Sequence, residues 1–333
     1  MPQLQPSPTP ERFFQAANAY QLTAALRTAV ELDLFTAIHE GAATPAELAS
    51  RLRSDARRVR ILCDFLTVEG LLTKHDGRYA LPPDSELFLV RTSPAYMGGT
   101  LGFLLHSENV RKFDNLTAIV RDGVSADDIR PENPLWVDFA RSMAPLMRMP
   151  AEIIAEELGA AKGEPWKVLD IASGHGTFGI TLARRNPQAR IVAVDWPAVL
   201  QVARENARHA GVAERFSTLP GSAFDVEFGS GYDVALLTNF LHHFDPPTNV
   251  RLLKKIHAAL KPGGRVVTLE FVPDEDRVAP PMAAKFAMIM LAGTESGDSY
   301  PYSAFQRMFQ EAGFAVTDLV RLPGPESLVI ARR

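Results

Sequence analysis

The chain has 333 residues, 46% of them hydrophobic and 22% charged, a globular balance whose length suggests two domains of about 100 to 200 residues each. A formal net charge of -4 offers no global attraction for a polyanion, which argues against nucleic acid as a partner. The single cysteine, Cys63, excludes an intramolecular disulfide and a cysteine-rich zinc site, and fits a reducing cytoplasm.

The first residues, MPQLQPSPTPERFF, are proline-rich and polar where a signal peptide needs an apolar run, and residues 1 to about 10 read as a flexible leader. No later segment offers about 18 uninterrupted apolar residues, so no membrane partner is expected and the protein is placed in the cytoplasm. Phe13 to Ile38 carries apolar positions at helical spacing, broken around Leu32-Asp33. Thr44-Pro45-Ala46-Glu47 has the form of a helix start: the hydroxyl caps free amides, proline suits the first position and the glutamate reaches back. Ser54-Asp55 opens a second helix with Val59, Leu62, Phe65 and Leu66 on one face and a stop near Gly70. Asp76-Gly77, between two short runs, supplies the positive φ angles of a tight hairpin. Helix, turn, helix and hairpin together predict a winged helix.

From about Pro94 to Glu157 the pattern is helical, with Leu101, Leu104 and Leu105 in one stretch and Phe139, Met143 and Met147 in another. After Trp166 continuous apolar strands alternate with helices, at Lys167–Ile171, Ile191–Val194, Val234–Leu237 and Arg265–Phe271, as a parallel sheet covered on both faces requires. The expected organisation is a helical winged-helix domain at 1–93, a helical connector or lid at 94–160 and a doubly wound α/β domain at 161–333.

The strand Val168 to Ile171 runs into Ala172-Ser173-Gly174-His175-Gly176-Thr177-Phe178-Gly179, and the next strand ends at Asp195. Glycines let the chain turn sharply beside a ligand, and an acid about 20 residues on can accept hydrogen bonds from ribose hydroxyls. That spacing alone fits either a dinucleotide or another nucleoside cofactor. Asp170 favours the second, because an anion beside the turn repels a pyrophosphate and welcomes an ammonium group.

Five segments, VLDIASGHG at 168–176, VDWPAV at 194–199, LLTNFLHHFD at 236–245, LKPGGRVVTLEF at 260–271 and FQEAGF at 309–314, resemble the class I methyltransferases in their order and spacing. More narrowly, nearly the whole chain resembles the small-molecule O-methyltransferases of caffeic acid, acetylserotonin and bacterial polyketide type. The resemblance implies a Rossmann-like fold, S-adenosylmethionine as methyl donor with S-adenosylhomocysteine as product, and a homodimer through the N-terminal domain. It implies a cofactor site formed by Asp170, Ser173, Gly174, Gly176, Asp195, Trp196, Ser222, Ala223, Phe224 and Asn239. The chain departs from the family in having Ala172 and Ser173 where the loop carries glycines, and Gly221-Ser222-Ala223-Phe224 at the adenine segment.

Methyl transfer displaces an activated carbon, so the protein must align a nucleophile and remove its proton, a task a histidine suits near neutral pH. The resemblance makes His242 that base and Glu270 the acid that orients it. A second family acid falls near Asp298 to Ser299, where no glutamate stands, and Glu295 is out of register. His243 reads as a helix-start or surface residue, and no spaced ligand cluster accompanies the histidine pair, so no metal is expected. Phe139, Met143 and Met147, with Phe286, Ile289 and Met290 in a late helix, offer adaptable apolar walls for a small aromatic or polyketide-like acceptor. Carbon methylation and a non-methylating reaction that retains the cofactor remain open. So does a DNA-binding regulator, for which Arg51, Arg53, Arg57, Arg58 and Arg60 are a cluster that solvated helix faces explain more simply.

Overall fold

The computed structural model describes residues 8–124 and 133–333. Most of the expected leader, and part of the expected connector, therefore lie outside the described residues. The chain forms two compact units, Met1–Leu101 and Gly102–Arg333.

In the first unit α1 (Glu11–Glu31) and α2 (Leu34–His39) are separated where Asp33 turns left-handed at φ 59°. Helix α3 (Pro45–Arg51) starts on a complete capping box: the Glu47 N–H donates to the Thr44 hydroxyl, and the Glu47 carboxylate accepts from the Thr44 N–H at 2.8 Å. Helix α4 (Ala56–Val68) is capped by Asp55, which accepts from the Arg58 N–H. Strands β1 (Thr73–His75) and β2 (Arg78–Ala80) pair antiparallel across Asp76 and Gly77, both with positive φ, and α5 (Pro83–Leu89) follows. Leu34, Phe35, Leu48, Val59, Cys63, Leu66 and Leu72 close one core in this unit. On its surface Arg51 pairs with Glu40 and Arg60 with Asp64, as solvated helix faces do.

After α6 (Leu101–Leu104) the second unit continues with α7 (Ser107–Asp114), α8 (Leu116–Asp122), α9 (Leu135–Ser142) and α10 (Arg148–Glu157). Phe139, Met143 and Met147 do not share one helix, contrary to their spacing. Pro145, which has no N–H to give, stands in a turn where Leu146 and Met147 bond back to Met143 and Ala144, and the chain restarts at α10.

The α/β part runs β3 (Lys167–Ile171), α11 (Thr177–Arg185), β4 (Arg190–Asp195), α12 (Pro197–His209), β5 (Phe216–Pro220), β6 (Tyr232–Thr238), α13 (Pro246–Ala259), β7 (Leu260–Glu270), α14 (Pro281–Gly293), α15 (Tyr302–Glu311), β8 (Val316–Arg321) and β9 (Ser327–Arg332). The sheet order is β5-β4-β3-β6-β7-β9-β8, with β9 antiparallel to both neighbours and the other six strands running in one direction. Alternate residues feed two cores. Val168, Ile191, Val234 and Val267 pack under α10, α11 and α12, whereas Leu169, Val194, Ala235 and Val266 pack under α13 and α15. The chain leaves β3 for β4 on one side and reaches β6 on the other, so the order reverses at β3, and the carboxyl ends of β3, β4 and β6 form a crevice where such sheets bind ligands.

Candidate active site

The turn after β3 is held by the carboxyl end of the neighbouring strand β4. The Ser173 N–H donates to the Val194 carbonyl at 3.1 Å, and the Gly174 N–H donates to Oδ2 of Asp195 at 2.8 Å. Ala172, Gly174 and Gly176 all have positive φ, and a Cβ on Gly176 would stand 3.1 Å from the Cβ of Ala203, so the turn hugs α12. Oδ1 of Asp195 accepts from the Trp196 N–H at 2.7 Å, which leaves each carboxylate oxygen a further lone pair. Burial pushes the Asp195 carboxyl up to about 6, although the Gly174 and Trp196 amides lower it. Trp196 packs beside Ala140, Val199 and Val202.

Asp170 is fully buried, and its Oδ2 accepts from the Gly179 N–H in the first turn of α11. It therefore holds the loop onto the sheet. Burial pushes this carboxyl up to about 8, against the Gly179 amide and with a further push from Asp195. Three oxygens around the crevice, Oδ1 of Asp170, Oγ of Ser173 and Oδ1 of Asn239, are buried with no hydrogen-bond partner. A ligand bearing donors fits such a set, and the sulfonium, ammonium and ribose hydroxyls of S-adenosylmethionine supply the positive charge and the donors. The segment after β5 stays tied to β4 through Gly221 N–H to the Asp195 carbonyl; Ala223 is buried, Ser222 Oγ accepts from the Phe224 N–H, and Phe224 lies edge-on to Phe244 at 5.0 Å.

Past β6 the backbone turns left-handed at Asn239, φ 53°, and makes a short 3-10 turn over Leu241–His243. Glu270, the last residue of β7, is 1% exposed and His242 5%. Nδ1 of His242 is 2.6 Å from Oε2 of Glu270, while Oε1 accepts from the N–H groups of Phe240 at 3.1 Å and Leu241 at 2.8 Å. The carboxylate thus fixes both the ring and the backbone that carries it. The bond at Nδ1 places the ring proton there and leaves Nε2 as the free acceptor.

Residues 152–315 match the model of the O-methyltransferase domain, and residues 14–91 that of the O-methyltransferase dimerisation domain. A 3-hydroxy-5-methyl-1-naphthoate 3-O-methyltransferase of Streptomyces sahachiroi is 31% identical over 91% of this chain and 89% of its own. The chain belongs to the S-adenosylmethionine-dependent O-methyltransferase family. Over the methyltransferase as a whole, the crystal structure of a candidate O-methyltransferase from Nostoc punctiforme superposes with a TM-score of 0.94 at 45% identity, covering 98% of this chain and 100% of that one. PigF, an S-adenosylmethionine-dependent methyl transferase of Serratia, is 26% identical over 92% of this chain and 91% of its own; its structure with S-adenosylhomocysteine gives a TM-score of 0.81 over 98% and 100%.

The methyltransferase brings three of the nominated apolar residues to this cluster. Phe139 stacks on His175 at 6.3 Å and lies 3.7 Å from where a Cβ on Gly174 would be. Sδ of Met147 accepts from the Asn239 amide at 3.4 Å. Phe286 meets the His242 ring edge-on at 4.8 Å and stacks on Phe271 at 3.8 Å. Met143 follows α9 and Met290 is buried in α14, and among the described residues neither side chain makes a hydrogen bond with this cluster. Ile289 is 50% exposed on α14 and lines a different groove, with Phe113, Met288 and Leu291.

Sequence reasoning passed over two residues. His175 caps α11 through Nδ1, which accepts from the Thr177 N–H, and burial pulls it down to about 4, so it stays neutral. Glu326 lies beside Asn239. A histidine between two glycines and a glutamate in a Gly-Pro turn carry no pattern that marks them in advance. His243, expected at a helix start or on the surface, has its ring among Trp136, Phe240, Phe244 and His242; burial, His242 and Lys112 hold it well below the usual histidine range.

Proposed function

We propose that the protein methylates a hydroxyl of a small aromatic or polyketide-like acceptor, with His242 as general base and Glu270 as the acid that orients it. The observation that carries this reading is the buried 2.6 Å contact between His242 and a carboxylate already fixed by two backbone amides. S-adenosylmethionine supplies an electrophilic methyl group when bound. Asp195, whose oxygens keep free lone pairs, accepts from the ribose hydroxyls, with Trp196 beside it. The turn Ser173 to Gly176, with Asp170 beneath and Asn239 across from it, receives the methionine end, and Ser222, Ala223 and Phe224 receive the adenine. His242 takes the acceptor proton on Nε2, and Glu270 stabilises the resulting imidazolium. Phe139, Met147 and Phe286 line the acceptor side, and the helical segment 94–160 serves as the connector or lid of the 161–333 domain.

A named relative that methylates a hydroxynaphthoate supports the aromatic acceptor and favours oxygen over carbon. The dimerisation-domain match supports a homodimer through residues 1–93, whose α1 leaves Phe13 68%, Phe14 55% and Tyr20 67% exposed. The reading includes a cytoplasmic location, and no helix among the described residues is long and apolar enough to cross a membrane. The test is incubation with labelled S-adenosylmethionine and a panel of phenols, naphthols and hydroxynaphthoates, with mass spectrometry of the products. Methyl ethers are expected; methylation at carbon, or consumption of cofactor with no methyl transfer, would reject the oxygen assignment.

A further inference from the structure

Glu326 stands in the Gly324-Pro325-Glu326-Ser327 turn that enters β9 and is only 5% exposed. Ser327 pairs with Glu270 across β9 and β7, and the Asn239 N–H donates to the Leu269 carbonyl of β7. Asn239, Glu270 and Glu326 therefore sit at the same end of three consecutive strands, β6, β7 and β9. The Glu326 carboxyl is near enough for the Asn239 amide to lower its pKa, as does His242, while Glu270 raises it. None of this gives it a satisfied bond at both oxygens. Oε1 of Glu326 is buried without a hydrogen-bond partner, and so is Oδ1 of Asn239. The Asn239 amide nitrogen donates to a thioether, Met147 Sδ, a weak acceptor that a better partner displaces readily. With Asn239 assigned to the cofactor, the orphaned Glu326 oxygen, buried next to the base, is what a polar group of a second ligand would satisfy.

We propose that Glu326 forms a hydrogen-bonding subsite for a second polar group of the acceptor, an O–H or N–H donor carried beside the hydroxyl that faces His242, while Asn239 next to it serves the cofactor. The inference rests on the acceptor reading above and adds what that acceptor must carry. The orphan on Glu326 is a carboxyl oxygen, so the group that matches it is a donor, and an acceptor lacking it leaves that oxygen unpaired in a buried site. Burial lifts Glu326 to about 7, so its ionised form is accessible near neutral pH and a donor from the ligand favours that form. Glu326 makes no contact that would let it remove the proton His242 takes; its part is selection.

The test is calorimetric binding to the full chain loaded with S-adenosylhomocysteine, using 2,3-dihydroxynaphthalene and 2-naphthol as probes. The wild type is expected to bind the diol about 20-fold more tightly, about 10-fold from one hydrogen bond of about 1.4 kcal/mol and about 2-fold from having two hydroxyls to present. Glu326→Leu should bring that ratio down to about 2, the statistical factor for two hydroxyls, with S-adenosylhomocysteine affinity unchanged as the sign that the variant is folded. Should Glu326→Leu fail to fold, Glu326→Gln decides: its neutral carbonyl accepts a weaker bond, so the ratio should fall part-way. An equal ratio in wild type and the folded variant, or no preference in the wild type, overturns the inference and leaves the acceptor reading standing. Binding of neither probe to the wild type overturns both.

Discussion

Oδ2 of Asp170 lies 2.7 Å from where a Cβ on Gly179 would stand, and Cγ2 of Ile191 is equally close to that point. Helix α11 approaches β3 and β4 this closely because residue 179 has no side chain, and the Gly179 N–H uses the approach to donate to Asp170 at 3.1 Å. In an open helix Gly→Ala gains about 1 kcal/mol from propensity. Here the added methyl meets a fully buried carboxylate and a strand residue. Gly179→Ala is therefore expected to lose about 1 to 3 kcal/mol to overpacking, net of the propensity gain. Chemical denaturation reads it, and a midpoint equal to or above wild type would show that α11 has room to move.

Asp195 accepts from Gly174 and Trp196 and has lone pairs left for a ribose. Asp195→Ala should weaken S-adenosylmethionine binding by about 1.5 to 3 kcal/mol per charge-assisted bond, before water replaces part of the loss. Because burial raises the carboxyl to about 6, the wild-type affinity should also fall as pH drops through that value, since the protonated acid accepts less well. Asp195→Asn should flatten that dependence. Calorimetry between about pH 5 and 8 checks both, and a wild-type profile as flat as that of the variant would take Asp195 out of the site.

Much of this architecture can be read from the chain because its signals are local. Thr44 and Glu47 cap α3 reciprocally, Asp76-Gly77 turns the hairpin, and Val168–Ile171 is apolar except for Asp170. Strands β5 and β8 are not legible in this way. They lie at the two edges of the sheet, where one backbone edge is unpaired and side chains such as Leu219 and Leu319 are only partly buried, so a continuous apolar run is not required. The Leu-Val-Ile-Ala run of β9 is too short for its periodicity to separate strand from buried helix. The pairing of His242 with Glu270 is legible only through resemblance, because they are 28 positions apart in sequence with a whole helix between them. Glu326 reaches the site through the antiparallel return of β9, which a reading of successive βα units does not anticipate.

Asp170 makes folding stability depend on pH. Its carboxyl is pushed up to about 8 in the folded protein from an ordinary value near 3.8. Between those values the folded protein holds a proton that the unfolded chain has released, so the stabilising contribution is complete below the lower value and is lost as pH rises through the upper one. Asp170→Asn keeps an oxygen for the Gly179 N–H and cannot ionise. It should therefore flatten the fall in stability across this range and unfold at a higher temperature than wild type above about pH 8. Thermal melts at several pH values test this, and an unchanged slope in the Asn variant would place the titration elsewhere.

The base assignment is tested through both members of the buried pair. A phenol, with a pKa of about 10, is mostly protonated at neutral pH, and its oxygen attacks far better as the proton leaves. His242→Ala removes the acceptor of that proton and should lower kcat by about 10² to 10⁴. Cofactor affinity should stay near wild type, because the ring is assigned to the proton and not to the nucleoside. Glu270→Gln separates orientation from packing. Its amide oxygen still accepts from the Phe240 and Leu241 N–H groups, but its nitrogen then faces Nδ1 of His242 and donates to it. The ring proton is forced onto Nε2, the atom that must accept, so a folded Glu270→Gln protein should be nearly as slow as His242→Ala. His243→Ala, which removes a neutral ring from an aromatic cluster, should cost far less. Raising the pH toward the phenol's own pKa should partly rescue both slow variants, since phenolate needs no base. Near wild-type turnover by His242→Ala, or a Glu270→Gln protein that is fast while His242→Ala is slow, would break the link between the two residues on which the mechanism stands.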